Sequence, residues 1–422
     1  MLLTRHEQAL VVRRPPVCPW PKMRATMERT RDRGLLALLV LAFVGMAVAY
    51  ARVTPFGQAP DELAHLAYVS NLAHHLQLPL AHTAEKQQPP LFYLLGAAVL
   101  RVTGDPRAVR YVSVACGTGA VLVVYAAARR LFPGRALLAV GAAALFALLP
   151  EIQYLSGAIT DDSLAWLLGA LVVLMLIYVL QQRVLTRTAL LTAGVVAGAA
   201  LLTKETVWVL AALLVVVIAA KDGRRLLGVD GVCLVAPILA IAGWWFARNI
   251  ATFHSLTPPL AAITAHEHML RSLSEARGFL AATAVSAIGS YGNGQHLVAI
   301  SVLGVRTLPS LLAGAAEVVA GLLVAFAVAG AWPRWSRQQR TIAVVLTLGG
   351  VVVAAQFLVN AATLDVQPQS RYLLVMGAAV ACALAWAIAR TFRRYLVLVV
   401  GVLLVIGAVL DASGLITASR LS

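Results

Sequence analysis

Charged residues are scarce in this chain. Only 12 % of its 422 residues are charged and 60 % are apolar, whereas soluble domains average about 25 % charged and about 45–50 % apolar residues. This composition excludes a water-soluble enzyme, because a soluble fold cannot bury so much hydrocarbon. At about 20 residues per span, the composition instead predicts a polytopic membrane protein with around ten transmembrane helices.

Cysteine, repeats and nucleic-acid-binding features are also lacking. One of the four cysteines, Cys18, lies near the N-terminus, and Cys116, Cys233 and Cys382 lie in apolar runs. This spacing offers neither a disulfide framework nor a CxxC metal site. The chain has no internal repeat of the kind that inverted-repeat transporters contain. No basic domain is interleaved with aromatic residues, so we expect no nucleic-acid partner.

Acidic residues are the rarer charge, and the placement of the basic ones predicts the topology. The sequence has 34 Lys and Arg against 18 Asp and Glu, and eight of the basic residues precede the first apolar run. Because Lys and Arg accumulate in cytoplasmic loops, residues 1–33 are predicted to be a cytoplasmic leader, which we expect to be disordered. The protein is then predicted to lie in the cytoplasmic (inner) membrane, with its N-terminus in the cytoplasm.

One short segment decides how the remaining chain is threaded. The apolar run at 91–102 has about 12 residues, too few to cross about 30 Å of hydrocarbon, so we interpret it as a helix on the outer surface. Eleven spans are then predicted, at 35–53, 111–128, 136–154, 164–181, 188–203, 206–220, 226–247, 309–331, 341–361, 372–389 and 395–411. With this threading 22 of the 34 basic residues lie inside.

The predicted architecture is therefore an all-α membrane domain over residues 34–411. It has outer loops at 54–110, 155–163, 248–308 and 362–371 and a short outer tail at 412–422. Side chains able to carry out chemistry collect in these outer segments.

The first outer loop opens with an acidic pair followed by a polar helical face. Pro60-Asp61-Glu62 is a helix-start pattern, and Asp61, His65 and Tyr68 then share one face at spacings of four and seven residues. A carboxylate, an imidazole and a phenol would thus lie together near the membrane surface. The alternative is an ordinary helix cap on an amphipathic interfacial helix.

A second acidic pair, Asp161-Asp162, precedes the fourth span. Helix capping explains one carboxylate here better than it explains two. Acidic residues gathered at one membrane face could supply a catalytic base, or hold a divalent metal at Asp61, Glu62 and Asp161.

Four cations, Lys86, Lys204, Arg248 and Arg371, are predicted to face outward in a protein that keeps most of its cations inside. Each could be a simple interfacial anchor. Because they oppose the positive-inside bias, an anionic lipid head group is the simplest ligand that would favour them.

In combination, these motifs resemble the GT-C superfamily of membrane glycosyltransferases. The motifs are Pro60-Asp61-Glu62 with His65 and Tyr68, Gln88-Pro89-Pro90-Leu91, Asp161-Asp162, Thr203-Lys204, Trp244-Trp245 with Arg248-Asn249, and Ser370-Arg371-Tyr372-Leu373. The resemblance covers roughly residues 35–410 and is greatest to bacterial relatives of protein O-mannosyltransferases and lipid A aminoarabinose transferases.

The resemblance implies a transferase that moves a sugar from a polyprenyl-phosphate carrier to a cell-envelope acceptor at the outer face. The acceptor would be a glycan, a lipid or a protein. It implies a base at Asp61 or Glu62 and an assisting carboxylate at Asp161 or Asp162. His65, Tyr68, Arg248 and Tyr372 would line the substrate site, and Lys86, Lys204 and Arg371 would hold the lipid phosphate.

Two other functions fit the same sequence features. A transporter or flippase of a lipid-linked saccharide would use the same cations, although transporters usually place polar groups near the bilayer midplane. An oligosaccharide polymerase or ligase would be an enzyme with a different acceptor.

Overall fold

The structure is a computed structural model that describes residues 20–78, 85, 87–258, 272–291, 296–297, 308–363 and 367–392, with scattered positions between 402 and 420. Its helices are α1 (Trp20–Val53), α2 (Glu62–His75), α3 (Leu91–Thr103), α4 (Arg110–Leu131), α5 (Ala136–Ala147), α6 (Pro150–Ser156), α7 (Asp162–Gln181), α8 (Arg187–Leu201), α9 (Glu205–Asp222), α10 (Val229–Ile238), α11 (Trp244–Phe253), α12 (Leu273–Gly289), α13 (Leu308–Ala331), α14 (Arg337–Thr363) and α15 (Gly377–Thr391). The described β-structure is one antiparallel pair, β1 (Ser290–Tyr291) and β2 (His296–Leu297), in which Ser290 is paired with Leu297.

Eight helical segments of the described chain are long and apolar enough to cross a membrane. They are Asp32–Val53, Pro106–Leu131, Asp162–Gln181, Glu205–Leu227, Val229–Phe253, Ala315–Arg334, Arg337–Ala362 and Leu374–Thr391. Each coincides with one of the eleven predicted spans. The predicted all-helical membrane fold is confirmed, whereas the count of eleven is not.

The predicted third span, 136–154, is broken. Its two halves, α5 and α6, meet at an angle of 68°. Pro150 is the first residue of α6, and since proline lacks a backbone N–H and its ring clashes with the preceding turn, α5 cannot continue through it.

Two apolar helices are too short to span. α3 has 13 residues and α8 has 15, so at 1.5 Å per residue they reach about 20 Å and about 22 Å. The predicted surface helix at 91–102 is therefore present as α3. The predicted fifth span at 188–203 is the short α8, which packs against α7, α9 and α10.

Several predicted boundaries differ from the structure. α1 begins at Trp20, inside the segment expected to be a disordered leader. The predicted loop 248–308 includes the end of α11 and the whole of α12. The predicted span at 395–411 and the tail at 412–422 lie largely outside the described residues.

α7 defines the two ends of the molecule. It is 20 residues long, so its ends are about 30 Å apart, which is the thickness of a bilayer's hydrocarbon core. At its last turn, the Gln181 side chain donates to Arg130 O. Lys221 Nζ donates to Val179 O and to Gln182 O. Basic loops thus meet at the C-terminal end of α7, and its N-terminal end carries Asp161 and Asp162.

Candidate active site

The site forms where the N-termini of α2, α7 and α9 meet. Asp61, Asp161 and Lys204 occupy the N-cap positions of these helices, yet none of their side chains makes a capping hydrogen bond. The capping alternative considered for the acidic pairs therefore does not describe the contacts of Asp61 and Asp161. Their carboxylates contact cations from distant segments instead.

Lys204 bridges the second acidic pair. Its Nζ donates to Asp161 Oδ1 at 2.6 Å and to Asp162 Oδ1 at 2.7 Å, and all three side chains are buried. Burial lowers the pKa of the Lys204 ammonium, but the charges of Asp161 and Asp162 outweigh burial and raise the pKa above its usual range. Lys204 is therefore a fixed positive charge.

Arg371 connects both acidic pairs. Its Nη1 donates to Asp162 Oδ2 at 3.3 Å, and its Nη2 donates to Asp61 Oδ2 at 3.1 Å. The Tyr372 ring lies 5.0 Å from the Arg371 guanidinium carbon and 5.5 Å from Lys204 Nζ, so one aromatic face contacts both cations. The cluster thus joins three carboxylates to two cations.

Two buried polar atoms of this cluster are unsatisfied. Within the described part of the chain, Asp161 Oδ2 and Arg371 Nε have no hydrogen-bond partner. A buried polar group without a partner costs about 1–3 kcal/mol. The cluster therefore has one acceptor and one donor available to a ligand, and the Asp61 side chain, 46 % exposed, gives access from outside.

The segment that carries Arg371 is held against α7. The Trp166 indole donates to Arg371 O at 3.0 Å. One turn further along α7, a Cβ on Gly169 would lie 2.2 Å from Val375 O. Only glycine allows this approach, which brings Arg371 within reach of Asp162.

Glu62 was an alternative candidate for the base, but the structure shows its carboxylate in an internal ion pair. It pairs with Arg110 at 2.7 Å, and both side chains are buried. Arg110 was not among the predicted site residues. The available signal was an arginine at the start of an apolar helix, on the end of the molecule predicted to be poor in cations.

His65 and Tyr68 lie on the buried face of α2, as their spacing predicts. His65 Nδ1 and the Tyr93 hydroxyl are hydrogen-bonded at 2.8 Å, and the rings of Tyr68 and Tyr93 stack with centroids 3.9 Å apart. Tyr93 was also missed, because an aromatic residue on an apolar helix has the same sequence pattern as a core residue.

A metal ion would have different ligands from those predicted. The predicted set was Asp61, Glu62 and Asp161, but within the described part of the chain the ligand atoms that lie within 4.8 Å of one another belong to Asp61, His65 and Glu85. Both oxygens of Glu62 accept hydrogen bonds from Arg110. Burial raises the pKa of the Glu85 carboxyl.

Two further cations, Lys86 and Arg248, were predicted to belong to the site. Lys86 falls outside the described residues. Arg248 donates to Asn249 Oδ1 at 3.1 Å, and its guanidinium carbon lies 5.0 Å from the centre of the Phe253 ring. Both of these residues belong to its own helix, α11. Burial raises the pKa of the Tyr68 hydroxyl, and the charge of Arg248 opposes this rise.

Comparison with protein families supports the sequence resemblance. The family model of dolichyl-phosphate-mannose-protein mannosyltransferases matches residues 87–245. The match includes Asp161, Asp162 and Lys204. No curated protein sequence matches the chain significantly.

Solved structures show the same fold. ArnT from Cupriavidus metallidurans, in its apo state and bound to undecaprenyl phosphate, superposes on this chain with a TM-score of 0.52 and 18 % identity in both cases. Each superposition covers 85 % of this chain and 60 % of the ArnT chain, so this chain spans less than two thirds of ArnT. The GT-C resemblance identified from the sequence is confirmed at the level of the fold.

Proposed function

We propose that this chain, which has the fold of GT-C membrane glycosyltransferases, transfers a sugar from a polyprenyl-phosphate carrier to a hydroxyl acceptor. The observation that carries this proposal is the buried cluster in which Asp61, Asp161 and Asp162 surround Lys204 and Arg371. It combines a base with cations, the two components that such a transfer requires.

Lys204 and Arg371 bind the phosphate of the carrier in this proposal. A guanidinium and an ammonium that carry permanent charge stabilise a phosphate both when it is bound and when it leaves. The Nε donor of Arg371 is available for a phosphate oxygen. The N-termini of α7 and α9 add the positive ends of two helix dipoles.

Asp61 acts as the base. It is the one carboxylate of the three in the cluster with an exposed side chain, so an acceptor can reach it. The acceptor hydroxyl gives its proton to Asp61, and the acceptor oxygen forms a bond to the anomeric carbon. The bond between that carbon and the phosphate oxygen breaks, which releases polyprenyl phosphate and inverts the anomeric centre. Asp161 and Asp162 hold the cations in position.

This reaction does not require a metal. Asp61, His65 and Glu85 could hold a divalent ion, which would make an acceptor hydroxyl more acidic. We also propose that the chain lies in the cytoplasmic membrane with its N-terminus inside and this site outside, which the charge distribution supports.

Product analysis distinguishes the transferase from a flippase. Purified protein in nanodiscs is supplied with a panel of polyprenyl-phosphate sugars and with glycan, lipid and peptide acceptors. A transferase releases polyprenyl phosphate and produces a glycosylated acceptor. A flippase leaves the bond between sugar and phosphate intact, so carrier that is bound and transported without cleavage would overturn the proposal.

A further inference from the structure

The ion pair between Glu62 and Arg110, close to the site, is extensively hydrogen-bonded. Arg110 Nε and Nη2 donate to the two oxygens of Glu62, each at 2.7 Å. Arg110 Nη1 donates to Ala51 O at 2.6 Å and to Thr54 O at 2.9 Å, and Nη2 also donates to Pro55 O at 3.4 Å. A guanidinium has five N–H groups, so every donor of Arg110 is used.

Glu62 accepts two further hydrogen bonds from the backbone. Oε2 accepts from Gly57 N at 2.8 Å, and Oε1 accepts from Ile159 N at 3.1 Å. Gly57 belongs to the loop before α2, and Ile159 belongs to the loop between α6 and α7. The Glu62 carboxylate therefore connects two loops that are far apart in sequence.

Each of these loops ends at a residue of the proposed active site. Asp61 directly precedes Glu62, and Asp161 lies two residues after Ile159. Asp61 also has a positive φ of 56°, a conformation that a non-glycine residue adopts rarely and that its surroundings must maintain. Because Glu62 directly follows Asp61, the ion pair is placed to hold the Asp61 backbone at this positive φ.

Loop 157–160 is held on its other side by α1. A Cβ on Gly157 would lie 2.7 Å from Ala51 N, so the loop touches the end of α1 whose carbonyls accept from Arg110. Arg110, Glu62 and the end of α1 thus form one buried unit. Removing one partner of a buried ion pair is strongly destabilising, because the other charge is left buried and unpaired.

We propose that Glu62 and Arg110 are positioning residues that fix the separation between Asp61 and Asp161. This inference rests on the proposed function and deepens it by assigning to Glu62 a role other than the base. Among the described residues, neither Glu62 nor Arg110 forms a hydrogen bond or an ion pair with Lys204 or Arg371. Loosening the pair is therefore expected to impair the transfer step while carrier binding persists, since small misplacements of reacting groups cost up to about 100-fold in rate.

The test uses the conservative variants Arg110→Lys and Glu62→Gln in the full-length protein. A lysine cannot reproduce the planar fork of Arg110, and a glutamine cannot accept at both of its terminal atoms. We expect kcat for carrier cleavage to fall by about 10- to 100-fold, with the Kd for polyprenyl phosphate within about twofold of wild type. The control is Arg187→Lys, at an exposed arginine that pairs with Asp230 near the C-terminal end of α7, and it is expected to leave both quantities unchanged.

A double-mutant cycle with Asp61→Asn separates positioning from general destabilisation. If the pair acts through Asp61, Arg110→Lys costs little further activity once the Asp61 carboxylate is gone. The inference would be overturned if the effects of Arg110→Lys and Asp61→Asn on kcat multiply in the double variant. It would also be overturned if kcat and carrier affinity fall together, or if kcat is unchanged in both Arg110→Lys and Glu62→Gln.

Hydrogen exchange gives a reading that does not depend on catalysis. In Glu62→Gln, peptides covering 55–62 and 157–163 are expected to exchange faster together, because a glutamine keeps only one acceptor oxygen and loses the charge pair with Arg110 that holds both loops. Unchanged exchange in either peptide would contradict the coupling of the two loops. If the wild-type protein cleaves no carrier, the proposed function fails, and this exchange result still decides whether the pair couples the loops.

Discussion

Arg371 and Asp61 are 310 positions apart in sequence, yet Arg371 Nη2 donates to Asp61 Oδ2 at 3.1 Å. This contact joins the segment before the last described span to the loop after the first. In the proposed function, this contact joins the base to a phosphate-binding cation before substrate arrives. A carrier phosphate that engages Arg371 would loosen its hold on Asp61 and free the carboxylate to accept a proton.

Replacing Arg371 by lysine is expected to weaken carrier binding. Arg371 uses two nitrogens to reach Asp61 and Asp162, and an ammonium on a lysine cannot span both while it also contacts Tyr372. A hydrogen bond to a charged group contributes about 1.5–3 kcal/mol, so the Kd for polyprenyl phosphate should rise by about 10-fold or more. The control is Arg390→Lys, at an exposed residue that donates to Gly330 O. Equal affinities in wild type and Arg371→Lys would remove Arg371 from the phosphate site.

Gly169→Ala is expected to displace the Arg371 segment. The new methyl group would lie 2.2 Å from Val375 O, so the backbone has to shift. Overpacking of this kind costs about 1–3 kcal/mol, and we expect a lower thermal midpoint in detergent together with weaker carrier binding. Gly141→Ala is the matched control, because a Cβ there meets no atom within 4 Å. Normal carrier binding by Gly169→Ala would show that this close approach does not position Arg371.

Carrier binding is expected to be insensitive to alkaline pH. The pKa of Lys204 is raised by Asp161 and Asp162, so its charge is retained as the pH rises through the ordinary lysine value of about 10.4. A polyprenyl-phosphate sugar should therefore bind with constant affinity from about pH 7 to about pH 10, as measured by equilibrium binding in nanodiscs. A loss of binding in Lys204→Met at every pH would support this role, and a wild-type decline centred well below pH 10 would contradict it.

The membrane orientation is tested by labelling single cysteines in a background without the four native ones. Arg129 and Arg130 at the end of α4, and Arg135 just before α5, flank a loop that is expected to be cytoplasmic. A cysteine at position 132 should resist an impermeant reagent in intact cells, whereas a cysteine at position 105, in the loop before α4, should react. The reverse pattern would place the site on the cytoplasmic side.

Much of this architecture could be predicted from the sequence, because hydrophobic runs and basic loops are local signals. The same holds for the face of α2, where helical periodicity correctly grouped His65 with Tyr68. Pro150 was also a local signal for the bend between α5 and α6. A proline in an apolar run is compatible with either a kink or a helix cap, however, and one continuous span was predicted there.

The contacts between distant segments could not be predicted in this way. No local pattern indicates that Glu62 pairs with Arg110, 48 positions away, instead of facing the substrate. The composition of the metal-capable group was missed for the same reason. Glu85 lies near Asp61 and His65 although it is 20 or more positions from them in sequence.

The central claim, that this cluster carries out sugar transfer with Asp61 as the base, is tested most directly by comparing polyprenyl phosphate release by wild-type protein and Asp61→Asn. Asparagine tolerates the positive φ of Asp61 and is an equally good N-cap, so the variant should fold and bind carrier. Loss of a general base should slow release by about 10² to 10⁴-fold. The control Asp105→Asn, at an exposed residue that caps the turn Pro106–Val109, should release product at the wild-type rate. Wild-type release by Asp61→Asn would contradict the account.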